Sequence, residues 1–234
     1  MTCYLENKSM KKIIKLILSD SILLIIKRFV EFIKYNYRYY KIKFAILYKK
    51  EIKIIIGASN TYQKNWYATN ESWLDITNEN DWIRVFKKKN LISNILAEHV
   101  FEHLTYEECI KALKIISKYM IQNSKIRIAV PDGYNPDPIY LKNVGINGVG
   151  IAADDHKQLL NKDVLFEILS KSNFKPKLIE GYDANKILHT EKYSIEDGFV
   201  KRSRQNNDPK YQHLEEMWGF KDSKTSLIMD GTKI

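Results

Sequence analysis

Cysteine, glycine and proline are scarce in this chain of 234 residues, which holds only two, nine and five of them. Cys3 and Cys109 are too few for a disulfide scaffold or a Cys-rich zinc module, so a reducing compartment is favoured. The most hydrophobic stretch, residues 13–26, is interrupted by Lys15 and Asp20. It falls short of the roughly 18 uninterrupted apolar residues of a spanning helix, and no small-residue cleavage site follows it. We therefore expect a cytoplasmic protein.

Arginine is also scarce, since only six of the 38 basic residues are Arg. Nucleic-acid recognition favours Arg for base edges and phosphate forks. The formal net charge of +10 is moreover concentrated in residues 1–50, which hold twelve basic residues against three acidic ones. The remainder is nearly neutral and 44% of the whole chain is apolar, so we predict a globular protein without a nucleic-acid partner.

Residues 1–50 contain neither glycine nor proline, and from residue 10 to about residue 48 apolar side chains recur at helical spacing. Lys27, Lys34 and Lys41 share one stripe of this pattern. Two interpretations stay open. The segment is either a basic amphipathic anchor, peripheral on the anionic inner membrane face, or a helix packed on its own domain or on a second subunit of a homodimer. We predict a helical extension over 1–50.

A second domain is predicted over 51–234, because the periodicity changes there. The continuous apolar run 54–56 ends at Gly57, as expected of a buried parallel strand entering a turn. Further strands are predicted at 66–69, 92–97, 126–130, 177–180 and 225–230. Helices are predicted from a capping box at Thr105 to about residue 122 and over 161–172, and a turn-rich loop, typical of functional lids, over 132–155. This rhythm predicts an α/β fold, a doubly wound, mostly parallel sheet with helices on both faces and antiparallel late strands.

Three segments together resemble the class I S-adenosylmethionine-dependent methyltransferases, and within them small bacterial predicted methyltransferases found among surface-polysaccharide enzymes. The segments are 95–105 (ILAEHVFEHLT), 127–133 (RIAVPDG) and 153–157 (ADDHK). The resemblance implies a Rossmann-like sheet of about seven strands and S-adenosyl-L-methionine as cofactor. It further implies transfer of a methyl group to a hydroxyl of a sugar or sugar nucleotide in surface glycan biosynthesis. Residues 1–50 lie outside it.

The resemblance places the cofactor across the carboxyl ends of the strands, where open α/β sheets bind ligands. Gly57 stands where the family has a glycine-rich loop, although here it is the loop's only glycine. Asn70 or the adjacent Glu71 would accept the ribose hydroxyls. Asp75 would meet the adenine amino group, or else cap a following helix. Glu98 would lie near the methionine portion.

Methyl transfer to a hydroxyl needs positioning and a base, for which an imidazole near neutral pKa is suited. His156 is our first candidate and His99 the second. Asp132, at a strand end, and Asp155, beside His156, are predicted to converge on the same cleft. Alternatively, the acids before His156 cap the next helix. The spacing establishes no metal-ligand set, so no metal is predicted.

Two other functions remain open at this stage. The single glycine and the asparagine at the ribose position are compatible with a binding or scaffold protein that keeps the fold without catalysis. The spacing His99-x-x-Glu102-His103 formally matches the inverted zinc-peptidase motif, in which two histidines bind zinc beside a glutamate base. The segment, however, follows a predicted buried strand.

Overall fold

The structure, a computed structural model, describes residues 20–59, 61–150, 153–205 and 225–234. The chain divides into two compact units, residues 1–41 and 42–234. The part of the predicted N-terminal helix before residue 20 lies outside the described residues, as does Cys3. The predicted division at residue 50 stays a prediction.

The first helix, α1, spans Asp20–Tyr48. Along its first half, large apolar side chains such as Ile25, Phe29 and Phe32 are exposed. Toward its end, within the second unit, Ile42 and Ala45 are buried. Across the described ranges, no helix is both long and apolar enough to cross a membrane.

Seven strands form one mixed sheet in the order β2-β1-β3-β4-β7-β5-β6. β2, β1, β3 and β4 are mutually parallel, whereas β7 pairs antiparallel with both β4 and β5, and β6 pairs antiparallel with β5. The prediction of a Rossmann-like, mostly parallel sheet with late antiparallel strands is therefore confirmed. The strands are β1 (Ile52–Ile56), β2 (Trp66–Ala68), β3 (Ile92–Glu98), β4 (Met120–Pro131), β5 (Phe174–Tyr182), β6 (Leu188–Thr190) and β7 (Ser226–Lys233).

Four further α-helices lie within the described residues, and each begins at a side-chain cap. The predicted capping box is present: Thr105 accepts from the amide of Glu108, whose carboxylate accepts from the amide of Thr105. Asn78, Asp137 and Asn161 cap the other three helices. The helices are α2 (Glu79–Phe86), α3 (Tyr106–Tyr119), α4 (Pro138–Val144) and α5 (Lys162–Ser170).

Helices α2, α3 and α5 pack side by side in that order, and α5 lies against β5 and β7. The irregular segment 191–205 packs on strand residues through Tyr193 and Val200, which contact a core cluster that includes Ile55, Leu96 and Ala129. The connection from β1 to β2 has only nine residues, which is too short for the usual crossover helix.

A buried ion pair fastens the irregular segment to the sheet. Arg127, which is 1% exposed, forms a bidentate ion pair with Asp230, in which Nε and Nη2 donate to the two carboxylate oxygens at 2.7 and 2.8 Å. Its remaining nitrogen donates to the carbonyl oxygens of Ser194 and Gly198 at 3.1 and 2.6 Å. Each of the three guanidinium nitrogens thus has a hydrogen-bond partner, as the burial of a charged group requires.

Two sequence predictions need correction. Helix α3 ends at Tyr119 rather than near residue 122, because Met120 already pairs with Ile92 of the neighbouring strand. The predicted loop 132–155 contains helix α4, capped by Asp137 and opened by Pro138. An acidic cap followed by proline at the first helical position is a known start signal that indicates this helix locally.

Candidate active site

A cleft of about 520 Å³ lies at the carboxyl ends of β1, β2 and β3. The turns after these strands bring Gly57, Glu71 and His99 to its wall. Its volume falls within the usual range for small-molecule sites, roughly 300–1,000 Å³. The full lining consists of Ile56, Gly57, Glu71, Leu74, Asp75, Ile76, Thr77, His99, Val100, His103, Leu104, Glu108, Asp155 and Lys157.

Gly57 forms a close approach between the turns after β1 and β3. Its φ of +57° is a conformation that side-chain-bearing residues rarely adopt. A Cβ at this position would lie 2.7 Å from Cγ2 of Val100, which also lines the cleft. The single glycine of this loop therefore has a local structural reason, and it leaves bare backbone at the cleft wall.

The three residues predicted to bind the adenosyl part are placed differently. Glu71 is exposed at the cleft wall. Asn70 does not line the cleft, and its side-chain oxygen accepts from the amide of Ser72 at 3.0 Å. Asp75 lines the cleft, but one carboxylate oxygen accepts from the amide and the hydroxyl of Thr77, both at 2.8 Å. Glu71 is therefore the freest of the three to meet a ligand.

His99 and Glu102 form a hydrogen-bonded pair at the cleft. Nδ1 of His99 lies 2.9 Å from Oε1 of Glu102. Burial alone would raise the pKa of Glu102, but the charge and hydrogen bond of His99 outweigh it and hold the pKa below its ordinary value. Glu102 is therefore a carboxylate, which accepts from Nδ1 of His99, and in the neutral tautomer of this ring Nε2 carries the lone pair. Nε2 has no hydrogen-bond partner among the described residues.

The backbone of His99 is also unusual, with a φ of +55°. Its amide donates to the carbonyl of Ala129 at 2.8 Å, which holds the turn against β4. Non-glycine residues in this region are uncommon and cluster at functional sites. The left-handed turn directs the imidazole toward the cleft immediately after the strand ends.

His103, Asp155 and His156 form a second group next to this pair. Nδ1 of His103 lies 2.9 Å from Oδ1 of Asp155, in ion-pair contact but without hydrogen-bond geometry. His156 is 7% exposed and does not line the cleft. Its ring packs edge-on against that of His103, with centroids 4.9 Å apart. Our first base candidate therefore lies behind the cleft wall, whereas the second lies on it.

Glu98 and Asp132, two further predicted site residues, do not line the cleft. Glu98 accepts from the amides of Lys201 and Arg202 in the irregular segment at 2.9 and 3.2 Å. Asp132 is fully buried and accepts from the amides of Tyr182 and Tyr134 at 2.8 and 3.0 Å. Burial raises the pKa of Asp132.

Sequence reasoning missed several residues of the cleft. Lys157 donates to Glu108 at 3.0 Å, and both residues line the cleft. These residues lie on α3 and on the segment after residue 152, which are 49 residues apart, so no local pattern could link them. Leu74, Ile76 and Leu104 add an apolar wall.

Comparison by sequence identifies no relatives: no protein-family profile matches the chain, and no curated protein matches it significantly.

Comparison with solved structures returns proteins described as methyltransferases. A SAM-dependent methyltransferase from Archaeoglobus fulgidus has a TM-score of 0.44 and 13% identity, covering 88% of this chain and 99% of that one. A Thermotoga maritima protein described as a SAM-dependent methyltransferase, possibly for histamine N-methylation, has a TM-score of 0.43 and 11% identity, covering 90% and 96%. A putative O-methyltransferase from Nostoc punctiforme has a TM-score of 0.42 and 11% identity, covering 86% and 57%. Similarities at this level do not assign the chain to a family.

Proposed function

We propose that the chain is an S-adenosylmethionine-dependent methyltransferase that acts on a hydroxyl of a sugar or sugar nucleotide. One observation carries the proposal: the turns after three adjacent parallel strands line a single cleft at their carboxyl ends. This edge of an open α/β sheet is where such folds bind nucleotide-like ligands.

The residues present fit the cofactor. Gly57 leaves a bare backbone cradle that a Cβ would close, which suits close approach by a methionine portion. Glu71 offers two carboxylate oxygens for the ribose hydroxyls. Leu74 and Ile76 offer apolar surface for the adenine ring. When bound, the cofactor supplies an electrophilic methyl group on a sulfonium.

His99 is the base that we assign to the acceptor hydroxyl. Its Nδ1–H donates to the Glu102 carboxylate, which orients the ring and leaves Nε2 as the proton acceptor. This assignment replaces His156 as the first candidate, because the His156 ring is buried behind the cleft wall. Glu102 acts through His99 as a positioning residue.

The acceptor class is inferred from the polar part of the cleft. His103, Asp155 and Lys157 line the same cleft as His99 and carry one imidazole, one carboxylate and one ammonium group. Such alternating donors and acceptors suit the hydroxyls of a sugar and the phosphates of its nucleotide. A role in surface-glycan biosynthesis belongs to this proposal.

Calorimetry with S-adenosylhomocysteine tests the cofactor assignment. We expect saturable one-to-one binding to the full-length chain, and a loss of at least tenfold in affinity in Gly57→Val, whose side chain would clash with Val100. No binding by the wild type at high micromolar ligand would refute the proposal. Incubation with candidate nucleotide sugars, followed by methyl incorporation, tests the acceptor.

A scaffold protein that binds the cofactor without catalysis is the competing function. His99 lines the cleft, and its Nε2 is a buried atom without a partner among the described residues. This favours catalysis, because a purely structural histidine would be expected to satisfy both nitrogens. Cofactor binding without turnover on any nucleotide sugar would favour the scaffold instead.

The N-terminal extension is proposed to associate with anionic membrane surfaces. Exposed apolar side chains such as Phe29 and Phe32 share helix α1 with Lys27 and Lys34, a combination typical of interfacial helices. We expect binding to vesicles rich in anionic lipid that weakens with salt and is lost when residues 1–41 are removed. Salt-insensitive dimers that disappear on the same truncation would favour the packing interpretation.

A further inference from the structure

Three metal-ligating side chains converge beside the cleft. Glu102, His103 and His156 each offer a ligand atom, and these atoms lie within 4.8 Å of one another. His99 does not belong to this group. The zinc-peptidase spacing therefore does not describe the cluster, whose histidines lie 53 residues apart on the 3₁₀ turn Phe101–His103 and on the segment after α4.

Two of the three groups are buried and keep an unused lone pair. Glu102 is 1% exposed, and its Oε2 has no partner among the described residues. His156 is 7% exposed, and its Nδ1 lies 2.8 Å from the carbonyl oxygen of Val144. Because a carbonyl only accepts, Nδ1 must donate, and in the neutral ring Nε2 is then the atom that carries the lone pair. A buried carboxylate oxygen without a partner is costly, so it calls for a ligand.

The contacts behind these groups are those that orient metal ligands. A ligating histidine usually donates its other ring N–H to a carbonyl or carboxylate, as His156 does to Val144. A ligating carboxylate is usually hydrogen-bonded in turn, as Glu102 is by His99. The His103 and His156 rings pack edge-on, and one nitrogen of each lies within 4.8 Å of the other and of a Glu102 carboxylate oxygen.

We propose that Glu102, His103 and His156 bind one first-row divalent metal ion, such as Zn²⁺, at the wall of the cleft. Two imidazoles and one carboxylate suit zinc and iron better than magnesium or calcium, which prefer all-oxygen sites. Tetrahedral bonds of about 2.1 Å place ligand atoms about 3.4 Å apart. Inward movement of the side-chain tips by about 1 Å brings the cluster to that spacing.

The position of the cluster indicates what the ion does. His103 lines the cleft, as does Asp155, which contacts it. Three protein ligands leave at least one coordination position, a feature of sites that bind water or substrate rather than purely structural zinc sites. An acceptor oxygen bound there would be polarised and more easily deprotonated. The metal site itself does not depend on the proposed methyl transfer.

Cobalt titration tests the site. The full-length chain, prepared without a histidine tag and stripped with a chelator, is titrated with Co²⁺ while visible absorption is recorded. We expect one equivalent to bind with ligand-field bands, competed off by Zn²⁺. His156→Gln and His103→Gln should each weaken binding at least tenfold. His189→Gln is the matched control, since His189 also contacts an aspartate, Asp183, but lies outside the cluster.

Two results would overturn the proposal: no saturable Co²⁺ binding by the wild type, or wild-type affinity in both cluster variants. Circular dichroism of each variant separates lost binding from lost folding. Should His156→Gln not fold, the partly exposed His103 provides the decisive variant. S-adenosylhomocysteine binding, measured on the same samples, tests the proposed function separately, so either proposal can fail alone.

Discussion

Two sets of buried polar residues in this sheet differ in how many of their atoms have partners. In the half around β4 and β7, Arg127 contacts Asp230 and two carbonyl oxygens, and Asp132 accepts from two amides. At the ends of β1 to β3, His99 and Glu102 are paired with each other, yet each keeps a buried atom without a partner. A satisfied buried polar group stabilises the fold, whereas an unsatisfied one needs an explanation, and beside a cleft we attribute it to a ligand.

The largest expected effect is a loss of turnover when His99, at the end of β3, is replaced. His99→Asn retains a residue that tolerates the left-handed backbone but removes the imidazole. General-base catalysis typically contributes about 10²–10⁴-fold, so we expect turnover to fall by that factor while S-adenosylhomocysteine affinity stays within threefold. Steady-state methyl incorporation measures turnover, and calorimetry measures the affinity for S-adenosylhomocysteine. His189→Gln should leave both unchanged, and full turnover in His99→Asn would remove His99 as the base.

Removing the Arg127–Asp230 ion pair should lower the free energy of unfolding rather than turnover. Arg127→Met leaves Asp230 buried without its partner, which costs about 3–5 kcal/mol in the free energy of unfolding. Urea denaturation measures the loss. The double variant Arg127→Met with Asp230→Leu should recover much of it, because a buried pair replaced by apolar residues is often nearly neutral. A single variant as stable as the wild type would contradict the assigned role of the pair.

A smaller effect is expected at the ribose end of the cleft. Glu71→Gln keeps the size of the side chain but removes one of two strong acceptor oxygens, so S-adenosylhomocysteine affinity should fall about tenfold, or about 1.4 kcal/mol. The matched control is Glu107→Gln, an exposed glutamate on α3 outside the cleft. Equal affinities in the two variants would place the ribose elsewhere.

The smallest expected effect is a pH dependence of the folding stability that arises from Asp132. Burial raises the pKa of Asp132 in the folded chain. A raised carboxyl pKa favours folding below the unfolded value, near pH 4, and this contribution is lost as pH rises through the folded value. The stability of the wild type relative to Asp132→Asn should therefore decline as pH rises from about 4. Urea midpoints at several pH values would show this slope, and a constant difference would contradict it.

Local sequence signals predicted the elements that build the cleft. The apolar run ending at Gly57 and the capping box at Thr105 involve neighbours within a few residues, and both are present. The Asp137–Pro138 start signal was equally local, although we did not use it. The placement of Glu98 and His99 could not be predicted, because the left-handed turn at His99 decides which of two adjacent side chains reaches the cleft.

By itself, the sequence determined the approximate positions of most strands and of the helices after Thr105 and Asn161, and that the polar turns collect at one sheet edge, because hydrophobic period and capping act over a few residues. Only the tertiary structure decided which of those polar residues keep atoms without an internal hydrogen-bond partner and so remain available to a ligand. Asp132 accepts a hydrogen bond from the amide of Tyr182, and the ring of His103 packs against that of His156. Each of these contacts joins residues about fifty positions apart in the chain. Hydrogen-bond saturation depends on such distant partners, so function at this edge follows from packing that no local pattern encodes.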